Sequence, residues 1–362
     1  MREIRVGVIG CGNISPIYLK NLTTVFGNLE VRAVADFNAE RAAARAKEFA
    51  VPNAWSVARL LDDPEIDIVL NLTPPPAHAE LCSAAIAAGK HVYVEKPLSI
   101  TLAEGERIVA EAEAKGVRLG CAPDTFLGAG LQTCRKLIDD GRIGEPVGAT
   151  AFMLNGGPEG WHPDPAFYYK AGGGPMLDMG PYYLTALVSL LGPVSTIVGQ
   201  TKTAWKERTI TSAERYGEKI SVEVPTHVSG LLGFASGAAA TVVMSFDVKG
   251  GTRHPPIEIY GSEGTLIVPD PNTFGGPVLV KRHDEADYNE IPLAFPYAEN
   301  SRGLGLADLA RGILTDSPHR ASGDLALHVL EIMTGIHTAG AEGAIQKTRH
   351  AVQRPNASAA SD

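Results

Sequence analysis

The sequence predicts an α/β protein of two domains: a doubly wound parallel sheet, then an α+β domain built on a large, mostly antiparallel sheet. Three observations lead there. From residue 2 to Pro123, strand-like and helix-like segments alternate. A glycine turn, Gly10-Cys11-Gly12-Asn13-Ile14-Ser15, joins the first strand to the first helix. Beyond Pro123, strands follow one another with few helices between them, the pattern of an antiparallel sheet.

Residues 2–9 alternate and then turn fully apolar, as a buried parallel strand does. After the glycine turn, Ile17, Leu19 and Leu22 recur at roughly helical spacing. The second strand ends on Asp36, and Asn38 is placed to start the next helix. A short strand at Ala54-Trp55 and a small helix ending near Pro64 follow. The strand over 67–73 runs into Pro74-Pro75-Pro76, which continues neither ladder nor helix. A helix over 77–88 stops at Gly89, and the strand of HVYVEKP (91–97) comes next. Thr101 with Glu104 makes a capping box for a helix closing at Gly116, and the strand 117–122 ends this half. Then come a helix near 128–140, strands within 147–154, 194–205, 219–247, 256–268 and 277–283, and one helix over 176–191. Helices near 304–314 and 323–341 finish the chain. The division expected is 1–123, 124–345 and a flexible tail over 346–362.

With 362 residues, 44% of them hydrophobic and 20% charged, the composition is that of a soluble globular protein. A net charge of -9 argues against nonspecific binding to nucleic acid or an anionic membrane. Cys11, Cys82, Cys121 and Cys134 show neither metal-ligand nor disulfide-framework spacing, so no metal is expected and a reducing, cytoplasmic setting is. No leader pattern or membrane-length apolar run is read.

The glycine turn has the form of a dinucleotide fingerprint. Gly10 allows the tight bend, Gly12 lets the backbone approach a pyrophosphate, and Ser15 holds the third, packing position. Asn13 and Ile14 open the helix, whose free N–H groups and dipole favour phosphate. Asp36 suits the adenosine ribose hydroxyls and repels a 2′-phosphate, so NAD is preferred to NADP. The alternative is a helix-capping Asp36 in a flavodoxin-like sheet. Lys96 ends a parallel strand at the edge where ligands bind; it either meets substrate or makes a salt bridge.

GVIGCGNIS, Asp36, NLTPPPAHAE, GKHVYVEKPLS and the distant GGGPMLDMGPYYLTAL resemble, in order and spacing, the Gfo/Idh/MocA family of glucose–fructose oxidoreductase and inositol dehydrogenase relatives. The resemblance spans about residues 4–340. It implies an N-terminal NAD(P)-binding Rossmann domain and a C-terminal substrate domain whose open sheet face joins homodimers or homotetramers. It also implies oxidation of a secondary hydroxyl of a sugar, glycoside, sugar acid or cyclitol, or reduction of the matching ketone. By similarity Thr73, Pro74, Pro75 and His78 line the nicotinamide-ribose side, Glu95 contacts cofactor, and Lys96 is the catalytic lysine.

The same resemblance places Asp178 at the substrate. Many relatives carry a histidine four residues later and an aspartate three beyond that; this chain has Tyr182 and Thr185. A phenol of ordinary pKa near 10 is a poor base at neutral pH unless a cation such as Lys96 supports its phenolate. Tyr182, Lys96 and His162 therefore all stand as the acid/base. Asp124 and Thr125 face the cleft in relatives, although APDTF replaces the usual turn. Trp161, His162, Tyr168 and Tyr169 are candidates to stack on a sugar, and Arg253-His254 and Asn300-Ser301-Arg302 are candidates to close the pocket. His319, His328 and His337 read as structural. Two other outcomes stay open: a closed cycle with retained cofactor, giving isomerisation, glycoside cleavage or sugar–sugar oxidoreduction, and a non-enzymatic regulator.

Overall fold

The computed structural model describes residues 3–358. The first residue of the expected opening strand and the last four of the expected tail lie outside the described residues. The chain divides into two compact units: one comprises the residues up to Leu127 with Asn300–Leu327, the other Gly128–Glu299 with those from His328 on.

In the first unit the order is β1 (Ile4–Ile9), α1 (Ser15–Thr24), β2 (Leu29–Ala35), α2 (Ala39–Glu48), β3 (Ala54–Trp55), α3 (Val57–Asp62), β4 (Ile68–Asn71), α4 (His78–Ala87), β5 (His91–Val94), α5 (Leu102–Lys115) and β6 (Leu119–Cys121). All six strands are parallel, in the order β3-β2-β1-β4-β5-β6. The apolar runs are buried as both-faced burial requires: every residue of β4 is buried, as are Val92, Tyr93 and Val94. The expected caps form. The Asn38 side chain accepts from Arg41 N–H, and Thr101 with Glu104 closes a capping box. Gly116, at φ 68°, ends α5 in the left-handed region. The strand order reverses between β1 and β4, the switch point at which such sheets bind ligands.

The second unit carries α6 (Ala129–Asp139), β7 (Pro146–Leu154), α7 (Gly174–Leu191), β8 (Val194–Lys202), β9 (Glu207–Thr209), β10 (Lys219–Ser221), β11 (His227–Phe234), β12 (Ala239–Ser245), β13 (Ile257–Gly261), β14 (Gly264–Val268), β15 (Val278–Arg282) and β16 (Asn289–Ile291). Then α8 (Leu304–Thr315) returns to the first unit, α9 (Gly323–Glu342) runs from the first into the second, and β17 (Gln346–Lys347) follows. A nine-stranded sheet has the order β16-β15-β14-β13-β7-β12-β11-β8-β17, antiparallel except where β7 meets β12. β9 and β10 form a separate hairpin.

One face of this sheet packs under helices. Gly199 and Gly230, paired across β8 and β11, seat Ile336 of α9; a Cβ on Gly199 would lie 2.0 Å from the Ile336 carbonyl oxygen. The opposite face presents a continuous cross-strand row: Val198, Leu231, Thr241, Thr150, Glu258, Ile267 and Leu279. None of these seven is buried.

Two expectations differ from the structure. The sequence-based division at residue 123 takes no account of the return of residues 300–327, which bond to the first unit through the Asp124 carboxylate and a Gly120–Ser322 backbone bridge. The segment from 346, expected to fray, is tied down as far as Ser358. There β17 lies on β8, Arg135 donates to the Pro355 carbonyl at 2.7 Å, and Ser358 N–H donates to Gln132 Oε1 at 2.7 Å. No described helix is long and apolar enough to cross a membrane.

Candidate active site

In the first unit, three strand ends supply the site. At the end of β1, Gly10 takes φ 102°, and a Cβ there would sit 2.7 Å from the Leu72 backbone carbon. Any side chain would therefore separate the glycine turn from the end of β4. Gly12 faces open space, with no atom within 4 Å of where its Cβ would be. Ser15 packs fully buried and donates to the Gly12 carbonyl at 2.8 Å, so a small residue serves the third position. Ile14, at the N-cap of α1, makes no side-chain cap; the Ser15 N–H is taken by the Gly12 carbonyl at 3.2 Å and Pro16 has no N–H. Asp36 follows β2 and is buried, one oxygen accepting from Cys11 N–H at 2.8 Å and the other from Asn38 N–H at 2.9 Å. Arg41 reaches back to 3.9 Å from Asp36 and lies 5.6 Å from the ring of the exposed Phe37.

At the end of β4, Asn71 organises the turn. Its Oδ1 accepts from the Thr73 hydroxyl at 2.7 Å and Thr73 N–H at 3.2 Å, and its Nδ2 donates to the His78 carbonyl at 3.3 Å. Pro74 is exposed and Pro75 half-buried. His78, expected to line the ligand, is wholly buried, with both ring nitrogens on backbone carbonyls. Its part is to shape the turn, because no ring edge is left for a ligand. At the end of β5, the Glu95 carboxylate accepts from the Tyr18 hydroxyl at 2.7 Å and from Lys96 N–H at 2.9 Å. Lys96 is half-buried and precedes a cis peptide to Pro97.

Asp124 calls for a correction. It is 1% exposed, and its Oδ2 accepts from Gly303 N–H at 2.8 Å and Gly305 N–H at 3.0 Å, at the start of α8. The carboxylate caps that helix inside the first unit and is not presented to substrate. Thr125 is buried as well. Asn300 and Arg302 offer their carbonyls to the Asn21 amide on α1, at 2.9 Å each, which docks that loop beside the glycine turn's helix.

In the second unit, α7 starts where Gly173 passes under Phe167 and Tyr168; a Cβ on Gly173 would lie 2.5 Å from the Phe167 carbonyl oxygen. Gly174 then turns with φ 88°. Asp178 and Tyr182 stand one helical turn apart on α7, the aspartate half-buried and the tyrosine buried, and Thr185 is buried a turn further on.

Upstream of α7, His162 sits among the edges of Trp161, Phe167 and Tyr168, at 5.5, 5.3 and 5.3 Å. Its Nδ1 accepts from Asp164 N–H at 3.0 Å, so this nitrogen carries no proton and the ring serves its own loop. Tyr169 is wholly buried against Arg208, so it cannot stack on a ligand. Arg208 anchors the loop from within, pairing with Glu159 and with Asp247 at 2.8 Å. His254 lies against Phe152 at 5.1 Å. His319 and His328 hydrogen-bond to backbone, and burial lowers the pKa of His337.

Comparison with known proteins settles the lineage. Residues 4–122 match the oxidoreductase family with an NAD-binding Rossmann fold, and residues 131–267 match the GFO/IDH/MocA C-terminal domain. The chain belongs to the Gfo/Idh/MocA oxidoreductase family. A 1,5-anhydro-D-fructose reductase of Ensifer adhaerens is 31% identical over 269 residues, 73% of this chain and 75% of that protein. A myo-inositol 2-dehydrogenase of Thermotoga maritima is 26% identical over 265 residues, 73% of this chain and 75% of its own. Among solved structures, a levoglucosan dehydrogenase in complex with NADH shares the fold at TM-score 0.83 and 22% identity, covering 96% of this chain and 100% of that one.

The first unit of this Gfo/Idh/MocA protein fits the family's dinucleotide by its own geometry. The open space at Gly12, the helix start without an Ile14 cap and the backbone-anchored carboxylate of Asp36 are chemically suited to a pyrophosphate and a ribose. Sequence reading missed Tyr18 and Asn71, the two side chains that hold Glu95 and Thr73. Tyr18 lies 77 positions from Glu95, too far for any periodic pattern to signal the pair. Arg41 is the first basic residue after Asp36 in the sequence, and its reach back to that carboxylate is a property of the first turn of α2.

Proposed function

We propose that the protein transfers a hydride between NAD and a secondary hydroxyl or ketone of a sugar, glycoside, sugar acid or cyclitol. The observation that carries this reading is the convergence of three ligand-facing groups on one edge of one sheet. The Gly10–Ser15 turn follows β1, Asp36 follows β2, and Lys96 follows β5. The named substrates of the relatives, an anhydro-sugar and a cyclitol, support the substrate class. Asp36 favours NAD because a buried carboxylate accepts from ribose hydroxyls and repels a 2′-phosphate.

The bound nicotinamide supplies the hydride acceptor. The chain's own residues do the rest. The Lys96 ammonium stabilises the oxyanion that develops as the substrate hydroxyl gives its proton to solvent water. Glu95, held by Tyr18, fixes the strand end from which the lysine projects. Asp178 accepts from a substrate hydroxyl, and Tyr182 hydrogen-bonds beside it. His162 falls out as the base, because its Nδ1 is occupied by its own loop. We further propose that two or four copies associate through the open row that includes Val198 and Leu231.

The reading is tested by following NADH formation with myo-inositol, D-glucose, levoglucosan, methyl glucosides and gluconate. Turnover of at least one, faster with NAD than with NADP, is expected. Stoichiometric NAD binding with no turnover of any of them would contradict it.

A further inference from the structure

An imidazole ring with a carbonyl oxygen at each nitrogen raises a question of proton count. In His78 the Nδ1 lies 2.7 Å from the Pro97 carbonyl oxygen, and the Nε2 lies 2.7 Å from the Thr73 carbonyl oxygen. Carbonyl oxygens only accept, and a neutral imidazole carries one N–H. A neutral ring would set a bare nitrogen lone pair against a carbonyl lone pair at hydrogen-bond distance. Only the imidazolium donates to both.

The two carbonyls belong to the two turns that matter. Thr73 begins the turn after β4, and Pro97 follows Lys96 after β5. Asn71 holds the same turn from its other side, through the Thr73 hydroxyl and the His78 carbonyl. We propose that His78 is a positioning residue for hydride transfer: a doubly donating imidazolium that pins the Thr73 turn to the Lys96-Pro97 turn. This rests on the assignment of Lys96 above.

The charged groups acting on the ring oppose one another. Burial, the largest influence, pulls its proton affinity below the ordinary histidine value, and Lys96 adds to that; the two carbonyls and the Glu95 carboxylate act the other way. The paired 2.7 Å contacts carry the assignment of the charge against the pull of burial, because a neutral ring can donate to only one of the two carbonyls. Glu95 compensates that charge and is itself held by Tyr18, so the pin, the lysine and the carboxylate form one rigid strand-end assembly.

The first measurement needs no substrate. Nitrogen-15 NMR of labelled wild-type protein, with the His78 ring assigned by through-bond correlation to its own backbone, is expected to show both ring nitrogens protonated at neutral pH. A ring with one bare nitrogen overturns the proposal, and it does so whether or not a variant folds. The second measurement uses whichever panel compound turns over fastest. Glutamine offers a donor at one end only, so His78→Gln is expected to lower kcat by about 10- to 100-fold, the scale of a roughly 1 Å misplacement. The NAD dissociation constant should stay within about threefold, because Gly12 and Asp36 are untouched. Unchanged kcat, or equal losses in NAD affinity and kcat, would overturn it. Failure of the Lys96 reading shows separately, as near wild-type turnover in Lys96→Ala beside a doubly protonated His78.

Discussion

Asp124 looks ligand-facing in the sequence and is a buried helix cap in the structure. Burial, the leading influence, pushes its carboxyl up to about 6, against the pull of the Gly305 and Gly303 N–H groups. The sign follows from that direction. The folded protein keeps a proton that the unfolded chain has lost, so this stability is full below the unfolded carboxylate pKa and disappears as pH rises through about 6. Asp124→Asn keeps an oxygen for both N–H groups and removes the titration. Wild-type stability should therefore fall relative to the variant by on the order of 3 kcal/mol between about pH 4 and pH 7. Urea unfolding of both proteins across that range checks this, and parallel curves would contradict it. His78 and Asp124 share one lesson. Each polar side chain spends its hydrogen bonds on backbone that arrives from another part of the chain: from 179 positions away for Asp124, and from 19 and 5 for His78. A residue's type and neighbours in sequence do not record such a debt.

The elements themselves were largely legible, and for local reasons. The apolar runs of β1, β4 and β5, the Asn38 cap and the Thr101-Glu104 box all act within a few residues, so pattern and chemistry agree. The glycine turn was legible because Gly10 must take φ 102° against the end of β4. The GGG turn before α7 is also necessary, since a Cβ on Gly173 would lie 2.5 Å from the Phe167 carbonyl oxygen. Three short strands escaped. β9 has three residues and pairs only with β10, β16 has three and pairs with β15 at one edge of the large sheet, and β17 has two, paired with β8 at the other edge. None is long enough to carry an alternating pattern. The same limit applies to the aromatic loop. Trp161, His162 and Tyr169 look equivalent in sequence, but Arg208 draws Tyr169 inward and leaves Trp161 exposed. Arg208 comes from the β9 strand that the pattern did not reveal.

For the molecule as a whole, the open face of the nine-stranded sheet has an energetic consequence. Leu231 is 50% exposed and Val198 42%, and they pair directly across β11 and β8. Apolar side chains in register on an uncovered sheet suit a second copy of the same surface, since a two-fold contact matches a row to itself. Leu231→Glu should shift the protein to a smaller species in sedimentation velocity while leaving NAD binding unchanged. An unaltered mass would place the association elsewhere. Family membership, the two-part α/β architecture and the dinucleotide site follow from motifs spread along the chain. The roles within the site depend on which strand ends meet, and only the fold supplies that. Lys96 is proposed to serve the reacting hydroxyl. Lys96→Ala should bind NAD with a dissociation constant within about threefold of wild type and lose on the order of 1,000-fold in kcat, the scale of a removed charge stabiliser. Full NAD binding with near wild-type turnover would contradict it.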